Sequence, residues 1–237
     1  MRIKDYACID LDRDRRTGIP EVVLAEGKAI PHLVEIVKAM VERKGRAIVT
    51  RASPGAIEAL RKLPLRQQRY PEAGIVVVLG PDFRLRRTGG VVGILSAGTS
   101  DYRVAEEARV IAEQLGCRVV SAHDVGVAGV HRLLEALDRM RRRKVDVYIA
   151  VAGRVGALPT LLAGMVDAPV IGVPVSTGYG MAGRGRSALY AMLQSCSPLV
   201  VVNIDAGFIA GAVAARIARM SGRGATTASR KRRGKLE

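Results

Sequence analysis

The sequence predicts an α/β fold: a parallel sheet with helices on both faces, preceded by a small α/β N-terminal lobe. Short apolar runs alternate with helix-length segments over the last two-thirds of the chain. The runs are apolar at nearly every position, as strands buried on both faces are. The helical segments repeat apolar residues at spacings of three and four, which gives each one a buried face.

The expected lobe spans residues 1–72. Within it, residues 21–24 read as a strand, 28–43 as a helix, 47–50 as a strand and 54–62 as a short helix. Residues 64–74 read as a linker and 82–90 as a basic loop. The expected main domain, 73–220, opens with Val91-Val92-Gly93-Ile94-Leu95, a strand. Helix 102–115 follows, with Val104, Ala105, Ala108, Ile111, Ala112 and Leu115 at helical spacing. Residues 118–122 form the next strand. Helix 127–143 places Val130, Leu133, Leu134, Leu137 and Met140 on one face. Then come strand 145–152, helix 157–166 with Pro159 in its first turn, strand 169–173, helix 184–193, strand 199–204 and helix 209–220. Crossovers should be right-handed, and ligands should bind at the carboxyl ends of the strands. The turns expected there are 98–101, 123–129, 153–156, 174–185 and 205–207.

Apolar residues make up 49% of the 237, enough for a core, and aromatics are 3%, so that core is aliphatic. Cys8, Cys117 and Cys196 are odd in number and widely spaced, and form neither a metal pair nor a disulfide framework. The start of the chain lacks a signal-peptide pattern and no apolar run reaches membrane length, so a cytoplasmic protein is the default. The net charge of +16 is partly local. Residues 221–237 hold Arg223, Arg230, Lys231, Arg232, Arg233 and Lys235, and read as a disordered basic tail. Arg139, Arg141, Arg142, Arg143 and Lys144 end a helix, where cations favour the dipole. A base-stacking aromatic set, a helix-turn-helix and a zinc finger are all absent, which argues against specific nucleic-acid binding.

The turn Ala97-Gly98-Thr99-Ser100-Asp101 sits between a strand and a helix. It offers hydroxyls and backbone N–H groups at a helix N-terminus, which suits an anion such as phosphate. Ser100 or Asp101 could equally cap the helix, and the two roles can coexist. Asp205 reads equally as a hydroxyl contact or a cap of the last helix.

Several motifs together identify a family. They are residues 97–108, Asp124-Val125-Gly126-Val127-Ala128-Gly129-Val130-His131-Arg132, Gly156-Ala157-Leu158-Pro159, Ser176-Thr177-Gly178-Tyr179-Gly180, Met192-Leu193-Gln194-Ser195-Cys196 and Val202-Asn203-Ile204-Asp205. Gly18-Ile19-Pro20-Glu21-Val22-Val23 and Gly27-Lys28 extend the match into the first third. In order and spacing the chain resembles the LarB family, the pyridinium-3,5-biscarboxylic acid mononucleotide synthases of nickel-pincer nucleotide biosynthesis. More distantly, the main domain is similar to PurE, the carboxyaminoimidazole ribonucleotide mutases. The resemblance implies a PurE-like (flavodoxin-like) main domain and an octamer.

It also implies a reaction: carboxylation of nicotinic acid adenine dinucleotide by CO2 at pyridine carbon 5, then hydrolysis of the phosphoanhydride to AMP and the dicarboxylated mononucleotide. A pyridinium ring is too electron-poor to attack CO2. A thiolate added at carbon 4 turns it into an enamine that is nucleophilic at carbon 5. Cys196 is the thiol that the family context implies, whereas Cys8 and Cys117 lack such a context. Gly98, Thr99, Ser100, Asp101, His131, Arg132, Gly153, Ser176, Thr177, Gly178, Tyr179, Gly180 and Asp205 are the implied nucleotide contacts. Lys28 and Arg51 of the lobe are candidates for the second half of the dinucleotide. No tightly bound cofactor and no metal ligand set is expected, with Mg2+ as an optional aid to the hydrolysis.

The chain departs from the family where Met-Glu is replaced by Arg154-Val155. Valine cannot move a proton. Either Glu106, Asp124 or Asp205 supplies the missing base, or the protein is a nucleotide-binding homologue with altered catalysis. An aminoimidazole ribonucleotide carboxylase or mutase of PurE type is the remaining alternative, and it needs no nucleophilic cysteine.

Overall fold

The structure, a computed structural model, describes residues 1–180 and 183–233, with side chains described through Ser221. The chain divides into two compact units, Met1–Leu85 and Arg86–Glu237.

The first unit contains the hairpin β1 (Arg2–Ile3) and β2 (Ala7–Cys8), then α1 (Arg13–Thr17), β3 (Val23–Leu24), α2 (Ile30–Lys44), β4 (Arg46–Thr50), α3 (Pro54–Arg61), β5 (Arg66–Tyr70) and β6 (Ile75–Leu79). Its four-stranded sheet has the order β3-β4-β6-β5, with β3 parallel to β4 and the other pairs antiparallel. Leu33, Val37 and Met40 of α2 and Leu60 of α3 pack on Ala47, Val49, Val76 and Val78. Two expectations change here. The segment read as a linker contains β5, whose polar sequence Arg-Gln-Gln-Arg-Tyr becomes a strand by pairing with the apolar β6. The boundary therefore falls after Leu85 and not after residue 72, because the β5–β6 pairing keeps residues 75–79 in the lobe.

The second unit contains β7 (Val91–Ser96), α4 (Tyr102–Gln114), β8 (Arg118–Ala122), α5 (Val130–Arg141), β9 (Val147–Ala152), α6 (Ala157–Ala163), β10 (Val170–Pro174), α7 (Arg186–Leu193), β11 (Val200–Val201) and α8 (Gly207–Arg233). Its five-stranded sheet has the order β8-β7-β9-β10-β11 and every pair is parallel. Counted from the first strand this is 2-1-3-4-5, the flavodoxin-like order. Alternate strand residues point to opposite faces. Val92, Ile94, Ile149 and Val151 pack with α4 and α8 on one face. Leu95, Tyr148, Ala150 and Ala152 pack with α5, α6 and α7 on the other. Gly93 leaves the space that Tyr148 fills, since a Cβ there would lie 2.7 Å from the tyrosine ring.

The expected helix 127–143 divides into a 3-10 turn, Val127–Gly129, and α5. Strand β11 is shorter than the expected 199–204. The backbone of α8 continues past Met220, the expected end, to Arg233; alanine, arginine and lysine are strong helix formers. Much of the expected basic tail is thus helical in backbone, and residues 234–237 lie outside the described residues.

The small residues of α8 face α4 within the chain. Ala210, Ala214 and Ala218 are buried with Ala105, Ala108 and Ala112. A Cβ on Gly211 would lie 2.5 Å from the Ala108 carbonyl oxygen. Gly211→Val should therefore lower the midpoint of chemical denaturation, by about 1–3 kcal/mol of overpacking. An unchanged midpoint would contradict this helix contact.

Candidate active site

In a 2-1-3-4-5 sheet the first and third strands are neighbours whose helices leave to opposite faces, and a crevice opens between them at the carboxyl edge. Here these strands are β7 and β9. The turn after β7 holds Gly98, Thr99, Ser100 and Asp101, and Thr99–Asp101 form a 3-10 turn leading into α4. Thr99 and Ser100 are exposed, while Asp101 is buried. Asp101 Oδ2 accepts from the Gly98 amide at 2.8 Å, and Oδ1 accepts from the Gly153 amide, beyond β9, at 3.1 Å. The Thr177 hydroxyl, beyond β10, donates to the same carboxylate. One side chain thus ties together the turns after three strands. Burial pushes its pKa up, and the three donors oppose that shift. Gly153 has no room for a side chain: a Cβ would stand 2.8 Å from the Thr177 carbonyl oxygen.

Asp205, between β11 and α8, acts similarly. Its Oδ1 accepts from the Ser176 amide at 2.9 Å, and its own amide donates to the Pro174 carbonyl at 2.9 Å. Three non-glycine residues at this edge hold positive φ: Asp124 at 55° after β8, Arg154 at 50° after β9 and Asp205 at 55° after β11. Such conformations cost on the order of 1–3 kcal/mol each and persist where the surroundings over-determine them. Their gathering at one edge marks it as the working end of the sheet.

Asp101→Ala would leave the Gly98 and Gly153 amides without that carboxylate. The expected loss is about 1–3 kcal/mol in denaturant stability, together with weaker binding of AMP by titration calorimetry. Unaltered stability and binding would contradict the bridging role.

The carboxylates proposed as bases from the sequence all have partners. Glu106 accepts from Arg109 Nε at 2.7 Å and Nη2 at 2.6 Å, and Arg109 Nη1 reaches Glu113 at 2.6 Å. The two glutamates raise the Arg109 pKa, through Glu106 above all. Asp124 pairs with Arg132 at the start of α5. These pairings remove Glu106 and Asp124 from the role of free base. His131 is exposed on α5 beside Arg132.

His123 is the residue that sequence reasoning passed over. It lies in the turn after β8, next to Asp124. Its Nδ1 shares a hydrogen bond of 3.0 Å with Ser96 Oγ, and its ring meets Tyr102 edge-on at 4.8 Å between centroids. Burial lowers its pKa, which keeps the imidazole neutral. The available signal was its place: a histidine directly after the strand Ser121-Ala122, at the carboxyl edge.

The glycine-rich loop holding Ser176, Thr177, Gly178, Tyr179 and Gly180 reaches back to β9. The Arg154 guanidinium stands 5.1 Å over the Tyr179 ring and donates to its hydroxyl at 3.3 Å. Val155 is 68% exposed, so a carboxylate at that position would meet water.

Cys196 is not brought to this edge. It is exposed in the loop from α7 to β11, which lies at the amino edge of the parallel sheet. Cys8 is exposed in the first unit and Cys117 is buried under α8. Lys28 and Arg51 belong to the first unit, where they follow the parallel strands β3 and β4 at one edge, and Arg51 pairs with Glu26 at 3.2 Å. Among the described residues no group of three or more His, Cys, Asp or Glu side chains could hold a metal ion. No helix among them is long and apolar enough to cross a membrane.

The sheet order and the glycine-rich turns at its carboxyl edge define the second unit as a PurE-like α/β domain. Residues 91–237 match the AIR carboxylase family, and residues 2–80 match the LarB/PurE-like N-terminal domain. The chain belongs to the LarB family of the PurE-like superfamily. An uncharacterized protein of Methanocaldococcus jannaschii is 42% identical over 229 residues, covering 92% of this chain and 86% of that one. The N5-carboxyaminoimidazole ribonucleotide mutase of the same organism is 32% identical over 130 residues, 54% of this chain and 78% of its own. That of Thermotoga maritima is 33% identical over 132 residues, 53% and 73% respectively.

Proposed function

We propose that this protein carboxylates nicotinic acid adenine dinucleotide with CO2 at pyridine carbon 5 and hydrolyses the phosphoanhydride, giving pyridinium-3,5-biscarboxylic acid mononucleotide and AMP. The reading is supported by a LarB-type lobe and a PurE-like domain in one chain. The observation that carries it is the bridged crevice at the switch point, where the Ser100 turn meets Gly153. It includes a homo-oligomer, an octamer by the resemblance, and a cytoplasmic location.

The Cys196 thiolate forms a bond to carbon 4, and the ring accepts the electron pair as a neutral dihydropyridine. Carbon 5 then attacks CO2. The proton on carbon 5 leaves to a base, and the sulfur departs with its electron pair as the ring becomes aromatic again. No external oxidant or reductant is consumed. Among the groups at the carboxyl edge, His123 is the base available for the proton, since Asp101, Asp124 and Asp205 hold amides or a guanidinium. The Ser100 turn and the helix N-terminus behind it hold the phosphate. No step is routed through Mg2+.

Because His123 supplies the base, Val155→Glu should change carboxylation by no more than a few-fold. A rise of the size typical of a gained general base, about 10²-fold or more, would show that the proton step lacks a base in this chain. The test of the whole reading is ultraviolet spectroscopy with nicotinic acid adenine dinucleotide. A dihydropyridine band near that of NADH is expected, and an unchanged pyridinium spectrum would refute it.

A further inference from the structure

We propose that the active site is completed by a second copy of this chain, whose Cys196 loop docks at the carboxyl edge that carries Ser100, Asp101 and Gly153. This rests on the carboxylation reading above and on the direction of the sheet.

Helix α7 starts at the carboxyl edge, where Ser187 Oγ donates to the Arg154 carbonyl at 2.7 Å. It runs back along the sheet for eight residues, about 12 Å at 1.5 Å per residue. Cys196 follows at the far end. There a Cβ on Gly164, which ends α6, would meet Ser197 Oγ at 3.5 Å, so this loop sits with the other amino-edge connections. The thiol and the phosphate turn therefore lie at opposite ends of one layer of strands, with buried side chains filling both faces between them. The pyridinium ring is joined to its 5′-phosphate through a single ribose. A phosphate on the Ser100 turn keeps the ring at the carboxyl edge, out of reach of the same chain's thiol. The chain able to supply that thiol is another copy.

Exposed apolar side chains stand at both edges. Tyr190, Leu193 and Val200 flank Cys196, and Val127, Val130 and Val155 stand where β8 and β9 give way to their helices. Scattered singly they would be ordinary, but grouped around the two halves of one reaction they form matching surfaces. Docking one group against the other covers both and carries Cys196 to its neighbour's turns. A closed assembly repeats the contact, so every site receives a thiol.

The test mixes two inactive chains. Cys196→Ser keeps the turns and removes the thiol. Ser100→Trp keeps the thiol and fills the turn, and because Ser100 is exposed the indole stays out of the core. The two variants, carrying different tags, are co-expressed and purified through both tags. Random pairing should restore about a quarter of the wild-type adduct absorbance. Failure of the tags to co-purify, or no recovery where the wild type forms the adduct, would overturn the shared site. A wild type that forms no adduct would instead overturn the carboxylation reading. Alkylation then decides the shared site by itself. In the mixed assembly every Cys196 thiol sits on a Ser100→Trp chain. Nicotinic acid adenine dinucleotide should slow its reaction with iodoacetamide, followed by peptide mass spectrometry, several-fold more than in Ser100→Trp alone. Equal rates would overturn the proposal.

Discussion

Replacing Cys196 by alanine is expected to abolish both the dihydropyridine band and carboxylation. The reason is electronic. Without a nucleophile at carbon 4 the ring stays cationic and carbon 5 has no electron density to give to CO2, so no other group at the site can compensate. Cys8→Ala and Cys117→Ala should keep the band. Cys117 lies in the core beneath α8, and its sulfur is 3.7 Å from Thr88 Oγ1. Its removal should therefore cost stability, about 1 kcal/mol, read as a lower denaturation midpoint with adduct yield intact. Full adduct formation by Cys196→Ala would remove the covalent mechanism. Loss of the band in Cys117→Ala at unchanged stability would move the nucleophile to the core.

His123→Ala should separate the two halves of the reaction. The adduct needs a thiolate and an electrophilic ring, whereas restoring aromaticity needs a base beside carbon 5. The variant should build up the dihydropyridine band while product formation falls about 10²- to 10⁴-fold. The pH dependence has a definite sign. Burial lowers the His123 pKa below its ordinary value of 6.5, so the neutral base survives to more acid pH than a free imidazole would. Product formation should be steady above that value and fall as pH drops through the lowered pKa. Stability shifts in the same direction, because the unfolded chain takes up the proton first and gains from acidification below about 6.5. Both acid-side effects should shrink in His123→Ala. An acid limb of unchanged position in the variant would assign it to another group.

The second unit was legible because its strands are buried on both faces. Val91–Ser96 and Val147–Ala152 are apolar throughout, and a run of that kind between amphipathic helices has few other uses. The carboxyl-edge turns followed from that topology, and the sheet places residues 98–101, 123–129 and 153–156 where the alternation put them. Less of the first unit was legible. Strand β5 reads Arg-Gln-Gln-Arg-Tyr and has no apolar face, so only its pairing with β6 makes it a strand, and a pairing partner leaves no mark in local sequence. Within the site, glycines and hydroxyls were visible as residue types. What the sequence concealed was commitment: that Asp101 spends both oxygens on backbone amides, and that Glu106 is locked to Arg109. Those are contacts between segments far apart in the chain or between successive helix turns. The position of Cys196 could have been inferred. A residue that follows a helix and precedes a parallel strand lies at the amino edge, whatever motif surrounds it.

The most direct measurement is product analysis by mass spectrometry after incubation with nicotinic acid adenine dinucleotide and carbon-13 bicarbonate. The expected result is AMP and a mononucleotide carrying one labelled carboxyl group, in equal amounts. Unchanged dinucleotide, with label transferred instead to aminoimidazole ribonucleotide supplied in the same mixture, would contradict the assignment and place the protein with the mutases.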